Sequence, residues 1–208
     1  KVALYVVMII LVVFSSAPLV YMVSSAFKPL DELFLFPPRF FVQNPTLDNF
    51  KELLTAMDSS TVPFTRYFFN SVIVTGLTVV GTVIVCSMAA YALTKMNMPY
   101  ANVIFNIIVA TLMFSPPVTQ ITNYILINKL GWINTYWALI IPKLAGSTYF
   151  FLLKQNFDSI VPNQILEAGK IDGANEWQNF IQVAMPVMKP ATSTVVVFSF
   201  VASWNDYF

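Results

Sequence analysis

Ionisable side chains divide this chain into long apolar intervals. No Asp, Glu, Lys or Arg occurs between Lys1 and Lys28, between Arg66 and Lys95, between Lys95 and Lys129, or between Lys189 and Asp206. A helix crossing the hydrocarbon of a bilayer needs about 20 mostly apolar residues, and each of the first three intervals holds one. The alternation over about ten positions that marks a membrane β-strand is absent. The pattern predicts an all-α polytopic membrane protein, a single transmembrane domain over 1–208 with spans over about 2–23, 67–94, 101–119, 133–154 and 187–208. The first run, "VALYVVMIILVVFSSAPLVYMV", exceeds the 7–15 residue core of a signal peptide and reads as a retained span.

Polar stretches mark the connections. Residues 24–66 form a long external one, with "LDNFKELL" a short helix opened by Thr46 or Asp48. "KMNMPY" turns the chain after the second span, and the Pro116-Pro117 pair closes the third or opens a pathway by freeing carbonyls. The fourth carries Pro142, Lys143 and Gly146 near its middle, and a charged segment over about 158–182 follows. The last apolar run is still unbroken at "VVVFSFVASWNDYF", which sets up the expectation of a sixth helix absent from this chain.

Composition narrows the chemistry. Hydrophobic residues make up 57% and charged ones 10%, against roughly 25% charged in soluble domains. The net charge of +1 gives no reason to expect nucleic acid. With no His and only Cys86, a zinc or copper site is not expected, and Cys86 reads as a small buried residue. No G-x-x-x-x-G-K-[ST] occurs, since Gly169-Lys170 is followed by Ile171, so the chain is expected to bind no nucleotide and no cofactor. The first three spans hold no Asp, Glu or His, which speaks against a proton-driven carrier. Uncharged polar residues in spans serve hydroxyl-rich solutes or join helices. Gln120, Asn123 and Asn205, near breaks or ends of spans, are the candidates for a solute path. Lys143 joins them as a residue facing a polar cavity, or else as a lysine reaching the interface.

The segment "EAGKIDGANEWQNF", Glu167 to Phe180, concentrates charge in this apolar chain. Gly169 and Gly173 are four apart and, with Ala168 and Ala174, leave a low surface that another protein could approach. Glu167, Lys170, Asp172 and Glu176 frame it with charges able to pair across an interface. On spacing alone, a solvated connection whose glycines only make turns fits as well.

Extended to "EAGKIDGANEWQNFIQVAMP", the segment resembles the EAA loop of bacterial ABC importer membrane subunits. That pattern is Glu-Ala-Ala, three residues, Gly, nine residues, an aliphatic position and a Leu-Pro-like ending. Glu167-Ala168-Gly169, Gly173, Val183 and Met185-Pro186 fall in register, with Gly169 and Met185 as departures. "NSVIVTGLTVVGTVIVCSMAAYALTKM", "LINKLGWINTYWALIIP" and "SWNDYF" resemble the second permease subunit of carbohydrate importers of the maltose type. The resemblance implies the type I permease fold in a bacterial inner membrane, with no bond chemistry in this chain. It implies a coupling segment of Glu167, Ala168, Gly169, Asp172, Gly173, Ala174 and Pro186 seated in a separate ATPase. Further implied partners are a homologous permease subunit, a second ATPase copy, an extracytoplasmic solute-binding protein, lipid, and a sugar or oligosaccharide, acidic ones included. Import of a non-sugar solute, or secondary transport without an ATPase, are the alternatives. An impermeant thiol reagent should reach a unique cysteine at Asn175 only from the cytoplasm and one at Asn44 only from outside; labelling of both from one side overturns the topology.

Overall fold

The computed structural model describes residues 2–58 and 63–206, without the side chains of Ala3, Asp58 and Pro116. All regular structure among them is helical. The chain forms two compact units, Lys1–Tyr67 and Phe68–Phe208, which divide within one helix.

The first unit opens with α1, Val2–Ala26, apolar on every face. No part of its most apolar window is buried, as suits a helix whose solvent is lipid. At 1.5 Å per residue its 25 residues reach about 37 Å, against roughly 30 Å of hydrocarbon. A one-turn helix α2, Leu30–Leu33, and α3, Asp48–Asp58, follow. Of the two residues expected to open α3, Thr46 accepts the Asp48 N–H at 3.1 Å. Its hydroxyl also donates to the Asp48 carboxylate at 2.6 Å. That bond first, and Lys51 second, hold the Asp48 carboxyl below its ordinary range.

The second unit is organised around α4, Phe64–Lys95, which begins in the first. The helix expected over 101–119 is interrupted: α5 ends at Thr111 and α6 runs Pro116–Lys129. A residue before proline is pushed out of the helical region. Ser115 accordingly sits at ψ 144°, and the prolines begin the new helix. Eleven residues of α5 cover only about 16 Å, half the hydrocarbon. The next expected span is α7, Tyr136–Leu144, followed by α8, Ser147–Ile160, with the break at Ala145-Gly146.

Beyond α8 come α9, Asn163–Ile171, the short α10, Glu176–Gln178, a π-helical turn over Asn179–Ala184, and α11, Met185–Val187. The final helix, α12, runs Lys189–Trp204 and meets the Glu176–Val187 segment at 81°. Pro190 cannot donate to the Pro186 carbonyl four residues back, so the bend falls between them. Among the described residues, three helices are long and apolar enough to cross a bilayer, and this bent pair would make a fourth.

The core of this unit lies among α4, α8, α9, the π-turn and α12. Phe150, Leu153 and Phe157, spaced along one face of α8, are buried with Cys86, Ala90 and Tyr91 of α4 and with Met188, Ala191 and Val195. The Tyr91 ring stands 5.8 Å from Phe157 and 5.2 Å from Phe180. The α7–α8 break leaves carbonyls without helical donors, and α4 supplies replacements. Thr82 Oγ1 donates to the Lys143 carbonyl at 3.3 Å and Cys86 Sγ to that of Leu144 at 3.4 Å. Cys86 is buried as expected, and it also closes a helix end.

Candidate functional site

The Glu167–Phe180 segment forms a helical hairpin whose turn is determined at each step. Gly173 has φ +87°, a left-handed conformation open to glycine and strained for other residues. Around it the Ala174 N–H reaches the Gly169 carbonyl at 2.9 Å and the Gly173 N–H that of Lys170 at 3.1 Å. This is the paired bonding of a Schellman motif, which satisfies the last carbonyls of α9. Asn175 then opens α10 with a reciprocal capping box: its Oδ1 accepts the Gln178 N–H and Gln178 Oε1 accepts the Asn175 N–H, both at 2.9 Å.

Three side chains fasten the hairpin. Asn179, fully buried, donates Nδ2–H to the Leu166 carbonyl at 3.1 Å, tying the π-turn to α9. Lys170 and Glu176 form an ion pair at 2.5 Å across the turn, and Tyr91 O–H donates to Glu176 at 3.4 Å. Lys95 Nζ donates to Asn163 Oδ1 at 2.9 Å at the start of α9.

These contacts change the expected role of two groups. Gly169, read as part of a surface for another protein, is half-buried, and a Cβ there would collide with Asn179 Oδ1. Its smallness serves packing within the chain. Lys170 and Glu176, read as charges for an interface, pair with each other. Glu167, Ala168, Asp172, Gly173 and Pro186 remain exposed, and Ala174 is half-buried. Beside them stand two large apolar side chains that the sequence reading passed over, Ile171 at 86% and Trp177 at 58% exposure. Asn179 and Tyr91 were missed too. The Asn175-x-x-Gln178 spacing of a capping box was legible; the partners of Asn179 and Tyr91 are distant in sequence and left no signal.

The four path candidates are not brought together. Gln120 and Asn123 lie exposed on α6, nearly all of whose described residues are exposed. Asn205 folds back on its own helix, donating to the Val201 carbonyl at 2.8 Å. Lys143 alone among them lines cavities, two of about 210 Å³ each. It does so in an ion pair with Asp206, a partner the sequence did not suggest, with side chains 30% and 28% exposed. One cavity is walled by Asn70, Ser71, Thr75, Tyr136 and Ser203, and the Tyr136 O–H donates to Asn70 Oδ1 at 2.7 Å. The other is walled by Thr78, Thr82 and Ser199, and the buried Thr78 and Ser203 hydroxyls have no hydrogen-bond partner in the structure. Thr75, Thr78 and Thr82 recur at helical spacing along one face of α4, a signal present in the sequence and not taken up.

Apolar helices around a polar seam, carrying a folded hairpin, are the architecture of an integral membrane component. The chain belongs to the family of binding-protein-dependent transport system inner membrane components, whose model matches residues 2–208. It is 32% identical over 199 residues to protein LplC of Bacillus subtilis, covering 92% of this chain and 62% of that protein. It is 30% identical over 197 residues to the diacetylchitobiose uptake system permease protein NgcG of Streptomyces coelicolor, covering 91% and 61%. To the sn-glycerol-3-phosphate transport system permease protein UgpE of Yersinia enterocolitica it is 31% identical over 149 residues, 72% of this chain and 53% of that one. The chain thus spans about three fifths of the length of the first two relatives. The fold is that of a solved bacterial ABC transporter involved in import of the acidic polysaccharide alginate, with TM-score 0.84, 22% identity, and coverage of all of this chain and 71% of that one.

Two stability outcomes follow. Gly169→Val should displace Asn179 and lower stability by about 1–3 kcal/mol, as overpacking does, while Ala168→Val on the exposed face should stay within about 0.5 kcal/mol. Thermal unfolding in detergent compares them, and equal effects would refute the inward role of Gly169. Lys143→Met should lower the melting temperature more than Lys143→Met combined with Asp206→Asn, because removing one partner leaves a charge in a partly dry cavity. A double variant at least as unstable as the single one would show the two side chains to be uncoupled.

Proposed function

We propose that this chain is a permease subunit of an ATP-driven carbohydrate importer, forming half of a translocation pathway with a homologous permease subunit. In this reading two copies of a separate ATPase and an extracytoplasmic solute-binding protein complete the assembly. Glu167, Ala168, Asp172 and Gly173, with Ile171 and Trp177 beside them, make the surface that seats in the ATPase; Pro186 and Ala174 support it. The observation that carries the reading is the hairpin itself. It exposes apolar and acidic side chains together while its own backbone is closed by the Schellman turn, the capping box and Asn179.

A rigid hairpin can transmit force. Movement of its ATPase partner would pass through the Glu176–Val187 segment to α12 by chain continuity and to α4 by the Tyr91–Glu176 bond. The polar seam along α4 and α12, with Lys143 and Asp206 at one end, supplies donors and acceptors suited to hydroxyl-rich solutes. Gln120, Asn123 and Asn205 contribute elsewhere along the route. The Lys143 charge is shared with Asp206, so the pair offers an acidic and a basic face, and neutral sugars fit it as well as uronates do. A second reading, import of a small phosphorylated polyol, draws on the relative named for sn-glycerol-3-phosphate transport.

Ala168→Trp puts bulk on the outer face of α9 without touching the Gly173 turn or Asn179. An overpacked contact costs about 1–3 kcal/mol, and 1.4 kcal/mol is tenfold in an equilibrium constant. ATPase retained on the tagged permease and carbohydrate uptake should therefore fall together, by about tenfold, with membrane abundance unchanged. Wild-type retention and uptake in Ala168→Trp would remove the coupling role of this face.

A further inference from the structure

The connection after α1 was expected to lie in water, and it is built otherwise. Glu32, 5% exposed, accepts the backbone N–H groups of Gln43 at 2.9 Å and Asn44 at 3.4 Å. Asn49 Nδ2–H donates to the carbonyls of Ala26 at 3.1 Å and Lys28 at 2.7 Å. The Thr46 N–H donates to the Phe27 carbonyl at 2.9 Å, and the Val42 N–H to Ser24 Oγ at 2.9 Å. Lys28, 1% exposed, donates to the Arg39 carbonyl and lies 4.9 Å from the Tyr21 ring centroid. Polar groups that a solvated loop would offer to water are thus turned inward, onto the end of α1.

What faces outward over residues 33–41 is apolar apart from Arg39, whose guanidinium donates to Gln43 Oε1. Phe36 is 93% exposed, Phe34 79% and Phe41 67%. Contiguous exposure of this kind marks an interaction surface, and the direction of the loop says which. The Phe40 ring stands 5.7 Å from Tyr21. Phe41 and Val42 close a groove of about 460 Å³ against Leu19, Val20, Val23 and Phe27. Leu19 and Tyr21 precede Ala26 by seven and five residues, which at 1.5 Å per residue places them about 8–11 Å back along the helix. Both lie inside the apolar stretch Leu4–Ala26 that qualifies as a membrane span. The chain leaves α1 and then returns alongside the last two turns of this apolar stretch.

We propose that residues 34–41 are a re-entrant lipid wedge. The side chains of Phe34, Leu35, Phe36, Phe40 and Phe41 enter the acyl region of the leaflet where α1 ends, and the groove beside Leu19–Val23 takes a phospholipid acyl chain. Burying Phe side chains in lipid is favourable in proportion to the apolar surface removed from water, while Ser24, Glu32 and Asn49 satisfy backbone groups at 26–28 and 42–44, where the loop is anchored to the end of α1. The inference rests on the membrane location of the family and is independent of which solute is carried.

The test uses spin labels on the intact protein, with its copurifying subunits, in phosphatidylcholine nanodiscs. Single cysteines replace Phe36, Val12 of α1 and Glu52 of α3 in a Cys86→Ala background. Collision with oxygen, which partitions into lipid, is compared with collision with a water-soluble nickel chelate. The oxygen-to-nickel ratio at Phe36→Cys should lie near that at Val12→Cys and well above that at Glu52→Cys. A ratio equal to that at Glu52→Cys would place the loop in water and overturn the proposal. Exclusion of both agents at Phe36→Cys would show a protein covering it, and would overturn it equally. Phe34→Cys provides the same reading should Phe36→Cys fail to fold.

Discussion

One amide fixes the helical hairpin on which the second unit's architecture turns. The Asn179 side chain, sealed from solvent, bonds the Leu166 carbonyl, and it fits only because Gly169 has no side chain in its way. Leaving such a buried carbonyl without a partner would cost about 1–3 kcal/mol. The two arms of the hairpin thereby behave as one body. The Schellman turn at Gly173 and the capping box at Asn175 set the angle between them; the amide sets their separation. Tyr91 and Phe180 then attach that body to α4 through ring packing.

The polar seam follows a related logic inside the bundle. Breaking a helix at Ala145-Gly146 would expose carbonyls to hydrocarbon, where each unsatisfied group is costly. Thr82 and Cys86 of α4 accept this burden with side-chain donors one turn apart. The break is tolerable because of what lies opposite it, and it lets Lys143 turn toward Asp206. The polar seam and a helix defect draw on the same face of α4.

Much of this was legible in advance. Charge-free intervals located α1, α4 and α12, since composition alone decides whether a helix can live in lipid. The start of α3 was narrowed to Thr46 or Asp48, and Thr46 accepts the Asp48 N–H. The third span was drawn too long because Ser115-Pro116 was treated as an end beyond which apolar residues could be added. The restriction that proline imposes on its predecessor should have stopped the helix earlier. Gly169 was assigned outward because a glycine beside alanines looks alike whether its neighbour is another protein or the same chain. Asp206 and Lys143 are 63 positions apart, and no local pattern joins them.

The π-helical turn over Asn179–Ala184 also governs phase. A π-turn holds one residue more than the α-helical turn it replaces, and each residue of an α-helix advances the face by about 100°. The turn therefore acts as an angular offset between the hairpin and everything after it. Were the same residues wound as regular α-helix, Asn179 could keep its bond to Leu166 while α12 arrived rotated by that angle. Ser199 and Ser203 would then leave the seam, and Val195 would leave the core. The winding of this one turn thus matters as much as residue identity, and a chain with every side chain of the site intact would lose the seam if the turn tightened to regular α-helix.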